Sequence, residues 1–328
     1  MDGKRVEYVD LAKGFCIALV VLFHTKGIIG YDFVLDPLLS AVRLPLYFFL
    51  SGLFFKDYGD WLTFFIKKVN RLLIPFLFFY LCFSVAVPNL LTYGFGISFG
   101  TVTGWPSLWA FLWPGEYPNI PIWFLWCLFL MNLLFYAFHS LLRGKQVWLG
   151  VVCLVSGFGG ELLLQLLPAD FGNVCKALQS MPFFYFGYLF SVHRGLLRLE
   201  ALSTSVRLSA IIVFILLSAV ATMLLPYHLL LYYVAGLCGT LSILLLSSLI
   251  GRLPLFSYIG RYSIMLLLTH GLLVKAFTTA CHQVQAVLGS VVAVVATTVL
   301  ILLCYYLIIP LMRRYLPYVT AQKPLLRE

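Results

Sequence analysis

Charge is what this sequence has least of. Asp, Glu, Lys and Arg make up 10% of its 328 residues, while 62% are hydrophobic and the mean hydropathy is +1.00. An ordinary soluble domain carries about a quarter charged residues, so this composition excludes one. The chain also has no C-x-x-C pair. Its eight cysteines, at 16, 82, 127, 153, 175, 238, 281 and 304, are scattered and mostly lie within apolar runs, which reads as small core residues. No His/Cys/carboxylate cluster has metal-ligand spacing, so no metal is implied. No nucleophile-elbow pattern surrounds Ser51, which argues against a serine nucleophile. No small-x-small site follows the first apolar run, and Asp10 and Lys13 lie at its start, so a cleavable signal peptide is not expected. Internal repeats and low-complexity segments are missing too.

What the chain does have is a succession of apolar runs, each long enough to cross about 30 Å of hydrocarbon. The expectation is an all-α integral membrane protein with about ten transmembrane helices, near 11–28, 38–55, 72–93, 119–141, 147–167, 179–192, 208–226, 229–250, 257–279 and 286–311. Spans so closely spaced leave no room for a separate soluble domain, so residues 1–328 read as one membrane domain. Pro226, Tyr227 and His228 form the tight turn between the seventh and eighth runs. With the N-terminus in the cytosol, sixteen Lys and Arg fall on the inner side (4, 5, 56, 67, 68, 71, 143, 145, 194, 198, 207, 252, 313, 314, 323, 327) and three on the outer (26, 176, 275). That asymmetry places both termini in the cytosol. The net charge of +10 therefore reports topology in the cell (inner or plasma) membrane rather than nucleic-acid binding. Cys175 and Cys281 both fall in outer loops, leaving a disulfide between them as an open alternative. The outer loop 94–118 holds Trp105, Trp109 and Trp113, whose spacing of four predicts three indoles on one face of a short helix lying on the membrane.

Charged groups within spans are costly and are functional candidates. The first run is the richest, with Asp10, Lys13 and His24. Lys13 and His24 are eleven positions apart. On a helix this is roughly 1,100° of rotation, about 20° from eclipsed, and roughly 16 Å of rise. Both face one way, Lys13 near the inner surface and His24 near the outer, with Asp10 on nearly the same stripe. A basic group at the cytosolic mouth can bind phosphates, and an imidazole further along can accept a proton or an acyl group. The separation suits the pantetheine arm of coenzyme A. On geometry alone, a snorkelling Asp10–Lys13 pair and an interfacial His24 account for the pattern equally well.

The stretch Arg5 to His24 resembles the opening motif of the acyltransferase 3 family of bacterial membrane acyltransferases. Further motifs match in order: Pro45-Leu-Tyr-Phe-Phe-Leu-Ser51-Gly52, Lys67-Lys68-Val-Asn-Arg71-Leu-Leu-Ile-Pro75, Pro121-Ile-Trp123-Phe124-Leu125, Pro182-Phe-Phe-Tyr-Phe-Gly187, and Ile259-Gly260-Arg261-Tyr-Ser263 with His270. Each is weak alone; six in the right order are specific. The resemblance implies ten helices, an acyl-CoA donor, acetyl-CoA foremost, and transfer to the hydroxyl of a sugar or lipid-linked glycan. It gives His24 the catalytic role and gives Lys13, Lys68 and Arg71 the phosphates of acyl-CoA; Asp10, counted with His24 in the catalytic set, holds Lys13 in place. Lys13 and Lys68 stand where many members have arginine, as in the sugar O-acetylase branch. Arg43 stands where that branch often has histidine, which bears on the acceptor. The hydrolase-like C-terminal domain of some members is not expected here.

Other positions carry two readings each. Lys67, Lys68 and Arg71 suit coenzyme A phosphates, or are an ordinary positive-inside signal. Ser263 and His270, seven apart, share a helix face, whereas Arg261 and His270, nine apart, lie roughly 180° apart on one helix; His270 is otherwise a packed histidine. Glu161, four before Gln165, either binds sugar hydroxyls or orients an imidazole, or makes a helix-packing contact. The tryptophans either stack on a sugar ring or form an interfacial belt, the belt being favoured. Ser51 and Gly52 permit close helix packing. The rival function is a polytopic transporter, and a third is a structural envelope partner. Against a transporter stands the lack of paired, Gly/Pro-broken segments in corresponding halves.

Overall fold

The computed structural model describes residues 6–96, 102–113, 120–167, 171–224 and 228–327. Arg5, which opens the first motif, and Pro226 and Tyr227 of the tight turn lie outside them, as do Pro114, Gly115 and Glu116 of the outer loop. The structure is 84% helical, with no strand among the described residues. The main helices are α1 (Glu7–Ile29), α2 (Asp36–Leu53), α3 (Trp61–Gly94), α4 (Trp123–Leu141), α5 (Gln146–Leu166), α6 (Val174–Gln179), α7 (Met181–Val192), α8 (Gly195–Ala201), α9 (Thr204–Leu224), α10 (Leu229–Ile250), α11 (Pro254–Arg261), α12 (Ser263–Ala276), α13 (Thr278–Leu288) and α14 (Ser290–Tyr315).

Seven of these, α1, α3, α4, α5, α9, α10 and α14, are long and apolar enough to cross a membrane. The pair α12 and α13, bent by 60° at its junction, adds an eighth if taken as one span. Two of the ten expected spans fall on helices outside this set: α2, which carries Asp36 and Arg43 in 18 residues, and α7, only 12 residues long. The expected span 257–279 is not one rod. The chain breaks at Tyr262 (φ −113°, ψ 26°), so Arg261 and Ser263 belong to different helices, and Arg261 and His270 do not lie on opposite faces of one helix as expected.

The third span also begins earlier than expected. Asp60 caps it, accepting a hydrogen bond from the Thr63 N–H (2.8 Å), which holds its carboxyl below the usual range. Lys67, Lys68 and Arg71 therefore lie in the opening turns of a 34-residue helix rather than in a loop before it. Pro75 and Pro88 sit inside α3, and each follows a widened π turn, Val69–Leu73 and Leu81–Ala86. Proline removes an N–H and crowds the carbonyl one turn back, and the wider turn relieves that crowding. The tryptophan expectation needs correction. Trp105–Leu108 and Ala110–Leu112 are two separate 3₁₀ turns with Trp109 between them and Trp113 in extended backbone. At about three residues per turn, a spacing of four no longer aligns side chains. The Asn89 amide and Tyr80 hydroxyl hold this segment through Gly104, Ser107 and Phe111. All eight cysteines are thiols, so the Cys175–Cys281 disulfide is not formed.

The chain packs as two compact units. One comprises Met1–Phe55, Phe183–Leu266 and Leu273–Ile308; the other comprises Lys56–Pro182, Leu267–Leu272 and Ile309–Glu328. In the first unit two helix crossings are so close that backbone meets backbone. A Cβ on Gly14 would lie 1.9 Å from the Phe256 carbonyl oxygen, and one on Gly260 would lie 1.8 Å from that of Asp10. Likewise Gly52 meets Phe184 and Gly187 meets Phe49, at 1.8 and 1.9 Å. Small residues let helices approach where lipid gives no hydrophobic drive to associate. Gly260→Ala is expected to destabilise the protein by about 1–3 kcal/mol through overpacking, read as a lower thermal midpoint in detergent. Gly27→Ala, with open space around it, is the control; equal midpoints for both would refute the tight crossing. The second unit has an aromatic core, with Phe64 stacked on Tyr136 (4.2 Å between centroids) and Phe76 on Trp126 (5.7 Å).

Candidate active site

The first unit carries the stripe read from the first helix. Because α1 runs unbroken from Glu7 to Ile29, Asp10, Lys13 and His24 keep their helical registration, and Lys13 and His24 stand roughly 16 Å apart along it. At the Lys13 end, the backbone carbonyl of Lys13 accepts a hydrogen bond from the Tyr47 hydroxyl (3.1 Å), and Ser263 bonds the same hydroxyl. The Lys13 ammonium lies over the Phe54 ring, 5.0 Å from its centroid. Asp10 is buried, with its carbonyl at the Gly260 crossing. It lines a small cleft, about 120 Å³, together with Glu7, Arg252, Ser257 and Arg261. The fold thus gathers Asp10, Lys13, Arg261 and Ser263 at this end, bringing the consecutive helices α11 and α12 to the distant α1.

At the other end His24 is half-buried, its ring 5.2 Å from and nearly perpendicular to that of Phe23. The Arg43 guanidinium covers Phe23 at 3.9 Å and is held by Ser40 Oγ (2.6 Å). The Arg43 carbonyl accepts from the Cys16 thiol (2.7 Å), tying α2 to α1. Arg43 is thereby brought to the His24 end.

Sequence reasoning missed what lies two residues further on. Lys26 is buried, and its ammonium donates to Asp32 (2.5 Å) and Asp36 (2.6 Å); Asp36 also accepts from the Phe33 N–H (2.8 Å). Gly30 makes the turn possible: its left-handed backbone (φ 63°) closes α1 and sends the chain back so that both carboxylates meet Lys26. Lys26 also stands 5.5 Å from the Phe23 centroid. The signal in the sequence was two aspartates within ten residues of a lysine at a span end, but pairing them required the turn.

The second unit holds the remaining candidates. The ammonium of Lys67 lies over Tyr58 (4.2 Å) and that of Lys68 over Phe64 (5.1 Å), while Arg71 is exposed. Glu161 accepts from Gln165 (3.0 Å) on one carboxylate oxygen and from Gln179 (2.5 Å) on the other. These bonds join α5 to the α6 end and favour its helix-packing reading. His270 is fully buried on α12, seven residues after Ser263 on the same helix. An apolar cavity of about 520 Å³ lies in the first unit, with His193 and Arg198 on a wall otherwise built from residues such as Phe190 and Leu237. None of the expected site residues lines it. No group of three metal-ligating side chains occurs among the described residues.

The model of one protein family, described as an acyltransferase domain, matches residues 6–320, nearly the whole chain. No curated protein and no solved structure matches it.

Proposed function

The chain belongs to the acyltransferase 3 family and is a membrane acyltransferase, and from this we propose that it moves an acyl group, acetyl foremost, from cytosolic acyl-CoA to a hydroxyl of a sugar or lipid-linked envelope glycan. The observation that carries this reading is the unbroken helix α1, which holds a cation and an imidazole on one stripe about 16 Å apart. In this reading Lys13 binds a donor phosphate and His24 meets the thioester. The imidazole takes the proton of the acceptor hydroxyl as its oxygen attacks the thioester carbonyl. The C–S bond breaks, and the thiolate takes that proton to leave as free coenzyme A. In a two-step version the imidazole nitrogen first takes the acyl group and then passes it to the hydroxyl. In this reading Arg43, packed on Phe23, binds acceptor oxygens. The basic asymmetry of the loops supports the inner or plasma membrane, with the donor on the cytosolic side.

Purified protein supplied with acetyl-CoA is expected to bind coenzyme A and slowly release free thiol. Lys13→Ala should weaken coenzyme A binding roughly tenfold, the value of a charge-assisted contact. Failure of the wild type to bind coenzyme A would overturn the donor assignment.

A further inference from the structure

The apolar cavity of the first unit is built from three helices, each giving it one stripe. Phe186, Leu189 and Phe190 line it from α7, and His193 extends that stripe by one turn, its N–H bonded to the Leu189 carbonyl (3.0 Å). Gly195, Arg198, Leu199 and Leu202 line it from α8, and Leu237 and Leu241 from α10. Positions three, four and seven apart share a helix face, so each stripe is a single face turned to the same space. The turn between α7 and α8 sets the cavity's shape. Arg194 is left-handed there (φ 54°), a conformation costly for a residue with a Cβ. It folds α8 back so tightly that a Cβ on Gly195 would lie 2.5 Å from the Phe190 ring. Both ends of α8 are then fastened. The Tyr8 hydroxyl donates to the Leu196 carbonyl (3.2 Å), and the Arg207 guanidinium bridges the Leu202 carbonyl (3.1 Å) to that of Ser248 (3.1 Å). Tied to α1 at one end and to α10 at the other, α8 does not settle into the space beside it, and about 520 Å³ stays open.

Protein interiors leave few voids larger than a water molecule, and a wall of phenyl and leucyl groups offers water no hydrogen bonds but welcomes an apolar ligand. The volume lies within the range of about 300–1,000 Å³ of small-molecule sites. Its two basic side chains sit at one end, on either side of the α7–α8 turn. His193 and Arg198 are both exposed, while Phe186, Leu237 and Leu241 are only partly so. Glu200, two residues beyond Arg198, does not line the cavity. The Tyr8 bond puts this end beside the start of α1, which is the cytosolic end on the topology read from the loop charges. An apolar slot with basic groups at its cytosolic mouth suits an amphiphile with a hydrocarbon chain and an anionic headgroup, as basic pockets between membrane helices do.

We propose that this cavity holds one acyl chain of an anionic phospholipid from the cytosolic leaflet, with Arg198 and His193 at the headgroup phosphate. The site is separate from the donor and acceptor groups proposed above, since none of the residues assigned to them lines it. Full-length protein in dodecyl maltoside, stripped of lipid, is titrated with dioleoyl phosphatidylglycerol and, separately, with dioleoyl phosphatidylcholine. Bound lipid is counted by native mass spectrometry, alongside thermal midpoints. One tightly held phosphatidylglycerol per chain, preferred over phosphatidylcholine, is expected. Arg198→Ala should cut that preference roughly fivefold, the worth of one basic side chain at an anionic lipid surface, and Arg198→Lys should keep most of it. Leu241→Trp, which fills the cavity, should remove the tight site. Should that variant prove unstable, Arg198→Ala, at an exposed position, still decides. Equal retention of the two lipids by the wild type would mark ordinary surrounding lipid and overturn the inference, as would an unchanged preference in Arg198→Ala. Displacement of the bound phosphatidylglycerol by palmitoyl-CoA, with Leu241→Trp raising KM for palmitoyl-CoA and not for acetyl-CoA, would give the cavity to the donor's acyl chain and overturn it as well.

Discussion

Replacing His24 by alanine is expected to lower acyl transfer by roughly 10²- to 10⁴-fold, the usual worth of a positioned general base, and to stop it altogether if the acyl group passes through the imidazole. The groups at that end of α1 include the Phe23 ring, the Arg43 guanidinium and the Lys26 ammonium, whose two carboxylate partners are engaged by it. The variant should remain folded, because His24 is half-buried and α1 is pinned elsewhere by the Gly14–Gly260 crossing and the Tyr47 bond to the Lys13 carbonyl. The decisive comparison is thiol release and label transfer by the wild type, His24→Ala and His24→Gln, alongside thermal midpoints and coenzyme A binding. Loss of transfer with binding and midpoint kept marks a catalytic group. Turnover retained in His24→Ala at a wild-type rate would remove it from the mechanism.

The second large effect is expected at Lys26. Lys26→Ala would leave the Asp36 carboxylate, whose side chain is only 17% exposed, with the Phe33 N–H as its remaining partner. Breaking one side of a buried ion pair costs about 3–5 kcal/mol. The Asp32 arm deserves little of that, since its side chain is 87% exposed and exposed pairs are worth about 0–1 kcal/mol. We therefore expect a loss near the lower bound, about 3 kcal/mol, seen as a thermal midpoint several degrees lower. Lys26→Met combined with Asp36→Asn removes both charges and should recover most of the loss, because the penalty lies in the orphaned carboxylate rather than in the missing bond. Equal midpoints for Lys26→Ala and the wild type would show that the triad does not hold the α1–α2 turn. Since Lys26 also stands over Phe23, the single variant should slow transfer as well.

The motif glycines show how a sequence signal and its cause can lie far apart. Gly52, Gly187 and Gly260 each belong to a motif that marks the family, and each is a backbone crossing point. Their identity was legible, and close packing was the expected role for Gly52. Their partners, Phe184, Phe49 and Asp10, were not, because a crossing is a property of two helices and leaves no periodicity in either. Asn70 is similar. It sits inside the basic motif Lys67 to Arg71, yet its work is to hold Leu325 and Leu326 more than 250 positions away.

Composition and local pattern alone determined that the chain is helical and membrane-embedded, since apolar runs with so little charge have no other way to satisfy their backbone. They also determined the family and the placing of Asp10, Lys13 and His24 on one stripe, since registration within a single helix follows from its pitch. Only the tertiary structure decided which groups from other helices meet that stripe. It put Arg43 beside His24, Tyr47 and Ser263 at Lys13, and Arg252 and Arg261 near Asp10. It buried Lys26 between two aspartates, broke the ninth expected span at Tyr262, and turned the tryptophan segment into 3₁₀ turns tied to Asn89 and Tyr80. The physical reason is the same each time: these outcomes depend on contacts between residues distant in the chain, whose energies exceed the local preferences that a sequence displays.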